Sequence, residues 1–322
     1  MNEKAIAVRR AALEARRARL SDAQRAVLER GLAGQGGPAP GRPPCVVTLA
    51  EGGAGTLFLV HPAGGDVSCF VPLAGTLAGW AVHGLQTPGL AGEQEAPYSS
   101  LTQLAAHFAA AVRQVQPEGP YRLAGWSLGA QVAFELAQQL TRTGAEVAFL
   151  GLLDGDPQAG ARARESMDGA AFDDQLPWLQ GIAEYLERLW GVAVSLDGLG
   201  ELEPAAQLEA FVGRLAAAPG RAPHGGPGGV LQLRRVLSAY RANLRALMAW
   251  EPRVYAGPMT LVLGAEPAPW KAEAREGWGR LSSQPLQVRE TPGDHYSLMA
   301  SPQVEALGAL LTSLLSGPGG RS

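Results

Sequence analysis

Two cysteines, Cys45 and Cys69, are too few to staple a chain of 322 residues. A disulfide framework is excluded, and a reducing, cytoplasmic setting fits. Charge of one sign is lacking too. The net charge of −3 gives no global field that would draw the chain to nucleic acid or to a membrane. No apolar run approaches the ~20 residues of a membrane span. The N-terminal stretch carries Arg9, Arg10, Arg16, Arg17 and Arg19 but no apolar core with a cleavage site, so it is not a secretory signal. G-x-x-x-x-G-K-[ST], H-E-x-x-H and C-x-x-C are all missing, which leaves nucleotide and metal chemistry without a foothold. There is no internal repeat. What remains is 46% hydrophobic and 18% charged, the composition of a globular chain with a sizeable core.

The stretch that organises the chain is Tyr121 to Leu140, YRLAGWSLGAQVAFELAQQL. Tyr121 to Ala124 reads as a buried strand. Gln131 to Leu140 reads as a helix, with Val132, Ala133, Leu136, Ala137 and Leu140 at helical spacing. Between them Gly125-Trp126-Ser127-Leu128-Gly129 matches G-x-S-x-G. A strand that becomes a helix in so few residues needs small neighbours, which Gly125 and Gly129 supply. The turn lifts Ser127 out of the sheet to the positive end of the helix. Two readings stand: a nucleophile elbow, or a βα turn with a helix-capping serine.

Other elements fall on either side. Residues 1–34 are rich in Ala and Arg, with eight basic residues against four acidic ones. They read as a helical arm, either merely solvated or a docking or linker element. Residues 35–54 (including GQGGPAPGRPP) read as a flexible linker. Strands are expected at Leu57–Val60, Ala81–Gln86, Val147–Leu153, Pro258–Gly264 and Leu286–Thr291, and an amphipathic helix at Leu101–Val115. Strands alternating with helices predict an α/β fold, a mostly parallel sheet flanked by helices, over residues 55–316. From about 157 to 250 only helical patterns occur: Trp178–Leu189, Ala206–Ala217 and Leu231–Trp250. That block exceeds one crossover and is expected to be a helical lid insertion, with ordinary crossover helices as the alternative. Residues 317–322 read as a disordered tail.

A serine becomes a nucleophile when a base takes its proton and a third group orients the base. Of His61, His83, His107, His224 and His295, the last follows a strand and precedes the C-terminal helix, where a loop can swing an imidazole over Ser127. His83 and His107 lie within elements, His224 in a Gly/Pro loop, and His61 in a His-Pro pair that suits a structural hydrogen-bonding device. Asp154 ends the strand after the elbow helix and is the foremost acid; Asp156, Asp294 and Glu266 are the others. An oxyanion needs donors. The backbone N–H of Leu128 is one, and Ala63 in His61-Pro62-Ala63-Gly64-Gly65 is the candidate for the other. A stripe of Trp178, Leu179, Tyr185, Leu186, Leu189 and Trp190 belongs either to core or to substrate contact. Trp126, Trp178 and Tyr185 are the substrate-binding candidates.

The motifs HPAGG (61–65), GWSLGA (125–130), LLDGDP (152–157) and GDHYSLM (293–299), in this order, resemble the thioesterase domains of nonribosomal peptide synthetases and polyketide synthases. The resemblance implies an α/β-hydrolase fold with a lid. It implies transfer of an acyl or peptidyl chain from a carrier protein's 4'-phosphopantetheine onto serine, then release by hydrolysis or cyclisation. By motif, Ser127 is the nucleophile, His295 the base, Asp154 the acid, and Ala63 and Leu128 the oxyanion donors. No cofactor bound by the chain itself is implied. The partner implied is a carrier protein or synthetase module, with neither nucleic acid nor membrane. LSDAQRAVLERGLAG resembles linkers between synthetase modules. Ala130 stands where the family often has Gly. No carrier-domain serine motif precedes the domain, so a domain acting in trans or an excised one is expected. Editing thioesterases usually carry the acid after the later strand, where this chain has Glu266, so Asp154 points to the product-releasing type. The alternatives are an editing thioesterase, or an acyltransferase to an amine or alcohol.

Overall fold

A computed structural model describes residues 42–90, 98–166, 176–217 and 227–317. The expected N-terminal arm, residues 318–322 of the tail, and His224 lie outside them.

Seven strands form one sheet: β1 (Val46–Ala50), β2 (Thr56–Val60), β3 (Ala81–Leu85), β4 (Tyr121–Trp126), β5 (Val147–Leu153), β6 (Thr260–Gly264) and β7 (Gln287–Thr291). Their order is β1-β3-β2-β4-β5-β6-β7. All neighbours are parallel except β1, which runs antiparallel to β3 along one edge. The helices are α1 (Val71–Thr76), α2 (Leu101–Val115), α3 (Leu128–Arg142), α4 (Ala159–Ser166), α5 (Leu176–Trp190), α6 (Pro204–Ala217), α7 (Pro227–Met248), α8 (Trp270–Arg280) and α9 (Gln303–Leu315). Among the described residues no helix is long and apolar enough to cross a membrane.

β4 is buried at every position, which is why its apolar residues do not alternate with exposed polar ones; its one charged residue, Arg122, is buried with its guanidinium over the Trp80 ring. Strand alternation divides its neighbours between two layers. Phe58, Val60, Leu150 and Leu152 pack with α2 and α3 on one face; Leu57, Leu59, Phe149 and Leu153 pack with α1 and α9 on the other.

β1 corrects the expected linker. Val46-Val47-Thr48-Leu49 lies inside residues 35–54, yet Val46 and Leu49 are buried and Val46 pairs with Leu85. The Pro and Gly around this β-branched run dominate the composition of the segment. They set its reading as a linker, but none falls between Pro44 and Gly52.

Between β5 and β6 the described residues form α4 to α7 and no strand. The last three have a small core of their own, in which Leu179, Ile182 and Leu186 of α5 meet Phe211 and Leu215 of α6 and Val236 of α7.

The β4–α3 junction has no slack. A Cβ on Gly125 would strike the carbonyl of Gly129, and one on Gly129 the carbonyls of Val60 and His61. Both obstacles are backbone and cannot rotate away. Gly125→Ala is therefore expected to cost ~1–3 kcal/mol or more by overpacking. It should appear as a lower thermal midpoint and poor soluble yield; an unchanged midpoint would refute the close packing.

Candidate active site

Ser127 sits at φ 58°, ψ −126°, a conformation a non-glycine residue holds only under constraint. Its backbone is held on both sides: its N–H donates to Leu153 O (2.9 Å), and its carbonyl accepts from Ala130 N–H (3.0 Å). Its hydroxyl makes no capping bond to α3. Oγ instead lies 3.1 Å from His295 Nε2, which decides between the two readings of this serine in favour of the elbow geometry.

The other ring nitrogen, His295 Nδ1, lies 2.8 Å from Asp154 Oδ2. A carboxylate only accepts, so Nδ1 carries the proton and Nε2 is free to receive one from serine. Asp154 is 2% exposed and also holds a positive φ, 47°. Its second oxygen accepts the N–H of Gly264 (2.8 Å). Lys271 Nζ stands 4.0 Å from that oxygen while donating to the carbonyls of Gly264 and Glu266.

The competing acids are placed elsewhere. Glu266 is exposed. Asp156 pairs with Arg162 and accepts the N–H of Gln158. Asp294 accepts the N–H groups of Tyr296 (2.9 Å) and Ser297 (2.7 Å) and pairs with Arg188 (2.7 Å). Burial pushes the Asp294 carboxyl up, but these donors outweigh it and its pKa lies below the usual value.

Ala63 and Leu128 both line a cavity of about 420 Å³ together with Ser127, Asp154 and His295. Among the described residues neither backbone N–H has an acceptor within the chain. Trp126 lines the same cavity, and its indole N–H also holds the His295 carbonyl (3.1 Å). Tyr185 and Gly181 of α5 line it, with Tyr240 of α7, Tyr296 and Trp270. Burial, above all, pushes the phenols of Tyr185 and Tyr240 far up and that of Tyr296 to about 12, so all three stay protonated donors.

Trp178 is corrected as a cavity residue: it is buried but is not part of the lining. It shares a helical stripe with Gly181 and Tyr185, and the cavity ends one turn short of it. Leu179 and Leu186 face the core of the insert instead.

The other described histidines stand away from the Ser127–His295–Asp154 line. His107 is half-buried beside Tyr98 (5.4 Å between rings). His83 is buried against Arg42 and Phe58. His61 is fully buried at the start of the loop that carries Ala63. Asn243, Lys271, Tyr240 and Trp270 were not among the expected site residues. None lies in a motif, and only a register between distant elements brings them here.

The family model for the thioesterase domain matches residues 55–217, about half of the chain. Aspulvinone E synthetase melA of Aspergillus terreus is 29% identical over 296 residues, which cover 85% of this chain and 29% of that protein. The dimodular nonribosomal peptide synthase of Bacillus subtilis (strain 168) is 40% identical over 113 residues, covering 35% of this chain and 5% of the synthase. This chain thus spans less than a third of the length of these curated relatives. The NocB thioesterase domain, solved as a covalent complex with a fluorophosphonate nocardicin G analog, aligns at a TM-score of 0.61 and 26% identity over 84% of this chain and 99% of its own. A four-domain nonribosomal peptide synthetase bound to AMP and glycine aligns at 0.73 and 26% identity, over 84% of this chain and 20% of its own.

The buried histidines give a pH dependence. Burial lowers the pKa of His61 from 6.5 to about 4; for His83 burial, helped by the Arg42 charge, does the same. The unfolded chain binds protons that the folded chain refuses. Stability present at neutral pH is therefore lost as pH falls from 6.5 towards 4. The expected loss between pH ~6.5 and ~5 is about 2 kcal/mol per histidine. Urea midpoints across that window, above most carboxylate titration, check it; a flat midpoint would sink it.

Proposed function

The chain belongs to the thioesterase-domain family, and from that premise we propose that it moves an acyl or peptidyl chain from a carrier protein's phosphopantetheine thioester onto Ser127 and releases it by hydrolysis or cyclisation. The observation that carries this reading is the unbroken line Ser127 Oγ, His295, Asp154 opening on one cavity.

His295 Nε2 takes the hydroxyl proton as Ser127 Oγ bonds to the thioester carbon. The oxyanion is held by the N–H groups of Leu128 and Ala63. As the C–S bond breaks, the proton passes from Nε2 to the leaving thiolate, and an acyl-Ser127 ester remains. Water, or a nucleophile within the acyl chain, then gives its proton to Nε2 and attacks the ester. Collapse returns that proton to Ser127 Oγ.

What favours release over editing is the seat of the acid: His295 bonds Asp154, while Glu266 faces solvent. The partner in this reading is a carrier protein or synthetase module, in line with the multidomain relatives. The chain itself contributes no cofactor; the phosphopantetheine arm arrives with the substrate. The insert, α4 to α7, acts as a lid over the acyl chain, since Gly181, Tyr185, Tyr240, Leu244 and Leu247 wall the cavity.

A fluorophosphonate should label Ser127 and no other residue. Ser127→Ala should lower thioester turnover by ~10⁶ and Asp154→Asn by ~10⁴, with Glu266→Gln near native. Native turnover in Ser127→Ala refutes the nucleophile. A large loss at Glu266 with little at Asp154 moves the acid and turns the reading to editing.

The choice of acceptor should lie in the lid, because whichever nucleophile reaches His295 first attacks the ester. Tyr185→Ala and Tyr240→Ala are expected to change the ratio of hydrolysed to cyclised product. The ratio is read by mass spectrometry on a carrier-loaded chain, in variants of native melting temperature. A constant ratio with only the total rate reduced would locate the choice outside these two residues.

A further inference from the structure

The oxyanion loop is wired to the insert by a chain of hydrogen bonds in which every donor can be assigned. His61 Nδ1 lies 2.8 Å from the Pro62 carbonyl, an acceptor only, so Nδ1 carries the proton. His61 is neutral at physiological pH, since burial lowers its pKa to about 4 against the opposing pull of that same carbonyl. Its Nε2 is therefore an acceptor, and Thr87 Oγ1, 2.9 Å away, donates to it. Thr87 Oγ1 in turn accepts from Asn243 Nδ2 (3.1 Å), whose other hydrogen goes to the Ala63 carbonyl (3.0 Å). Thr87, His61 and Asn243 are all buried, at 3%, 0% and 4% exposed.

The Pro62 carbonyl and the Ala63 N–H belong to one peptide unit. In a trans peptide they lie in one plane and point in opposite directions. Whatever fixes the carbonyl therefore aims the N–H. Pro62 O accepts from His61 and from Gly65 N–H (2.9 Å), and Gly65 O accepts from Thr87 N–H (2.9 Å). The Pro62, Ala63 and Gly65 carbonyls of this loop are thus engaged, while the Ala63 N–H has no acceptor among the described residues and borders the same cavity as Ser127.

We propose that Asn243 of α7, acting through Thr87 and His61, is a positioning residue that aims and polarises the Ala63 N–H for the oxyanion. The inference rests on the function proposed above, in which that N–H receives the developing charge. His61 thereby acts without touching substrate, and the insert contributes to the chemical step as well as to the cavity wall.

Asn243→Asp keeps the shape of the side chain but turns a donor into an acceptor. Thr87→Val removes the hydroxyl at constant volume, and Thr87→Ser restores it. Losing one oxyanion donor outright costs ~10²–10³ in kcat, so a misaimed one should cost about 10- to 100-fold. That loss is expected in Asn243→Asp and Thr87→Val, with KM within about twofold of native and most of kcat recovered in Thr87→Ser. Nitrogen-15 NMR of the imidazole should show the single Nδ1–H tautomer of His61 in the native protein and in Thr87→Ser, and a mixture in Thr87→Val. Native kcat in folded Thr87→Val and Asn243→Asp, or an Nε2–H tautomer in the native protein, overturns the proposal. So does an equal loss in Thr87→Ser, which would make the chain of bonds structural only. The tautomer does not depend on catalysis. A Ser127 that fails to label would therefore bring down the proposed function separately from this wiring.

Discussion

The close contact between Gly125 and Gly129 is the constraint on which the rest depends. With no side chain at either position, the first turn of α3 sits directly on the ends of β2 and β4. Ser127 is the residue forced to bridge them, and its positive φ is the consequence. Such a conformation costs on the order of 1–3 kcal/mol and persists only where the surroundings over-determine it. Here they do. The Ser127 backbone is bonded to Leu153 and Ala130, and α3 buries twelve residues between the sheet and α2. The strain is thus offset by packing that α3 would gain in any case. Two features of the site come with it: a hydroxyl that cannot fold back to cap the helix, and a Leu128 N–H left without an acceptor.

A buried carboxylate sets the second requirement. Asp154 at 2% exposure is expensive as an anion unless its oxygens are occupied. One accepts from Gly264 N–H and the other from His295 Nδ1–H, with the Lys271 ammonium 4.0 Å behind. The same lysine binds the Glu266 carbonyl, which holds the loop after β6 in the shape that presents Gly264 N–H to the acid. The loop that carries the alternative acid therefore serves the actual partner of His295 through its backbone. Ala130 adds a further restriction. Its Cβ lies where a side chain on Gly155 would go, so the residue after Asp154 has to be glycine.

The sequence made the centre of the sheet legible and left its edge unread. β4 and β5 are dominated by apolar residues because both of their faces are covered, and neither contains a proline. β1 is a one-strand edge framed by Pro44 and Gly52, and composition hides it. Ser127, Asp154 and His295 were legible because each sits just past the end of a strand, and parallel strands bring such ends to one rim. Asn243, Lys271 and Tyr240 sit inside helices. Their meeting with the rim depends on where α7 and α8 cross the sheet, a long-range register that no local pattern encodes. Trp178 shows the same limit from the other side. Helical phase put it on the correct stripe, but the length of the cavity left it one turn outside.

That register bears on what kind of cover the insert is. Each of the three loops that complete the site is held by a different helix of the insert. Arg188 of α5 pairs with Asp294 and lies over the Tyr296 ring at 5.1 Å, on the two residues that flank His295. Arg162 of α4 pairs with Asp156, two residues beyond Asp154, and with Glu273 of α8 at 2.7 Å. Asn243 of α7 holds the Ala63 carbonyl. The first two ties are ion pairs with a third or more of the arginine exposed, the sort that contribute little energy and weaken with salt. The third is a half-buried hydrogen bond between neutral groups, which salt does not screen. The insert is thus tied to the rim of the site by two salt-sensitive ion pairs, from α4 and α5, and by one neutral hydrogen bond from α7 to the loop that carries Ala63.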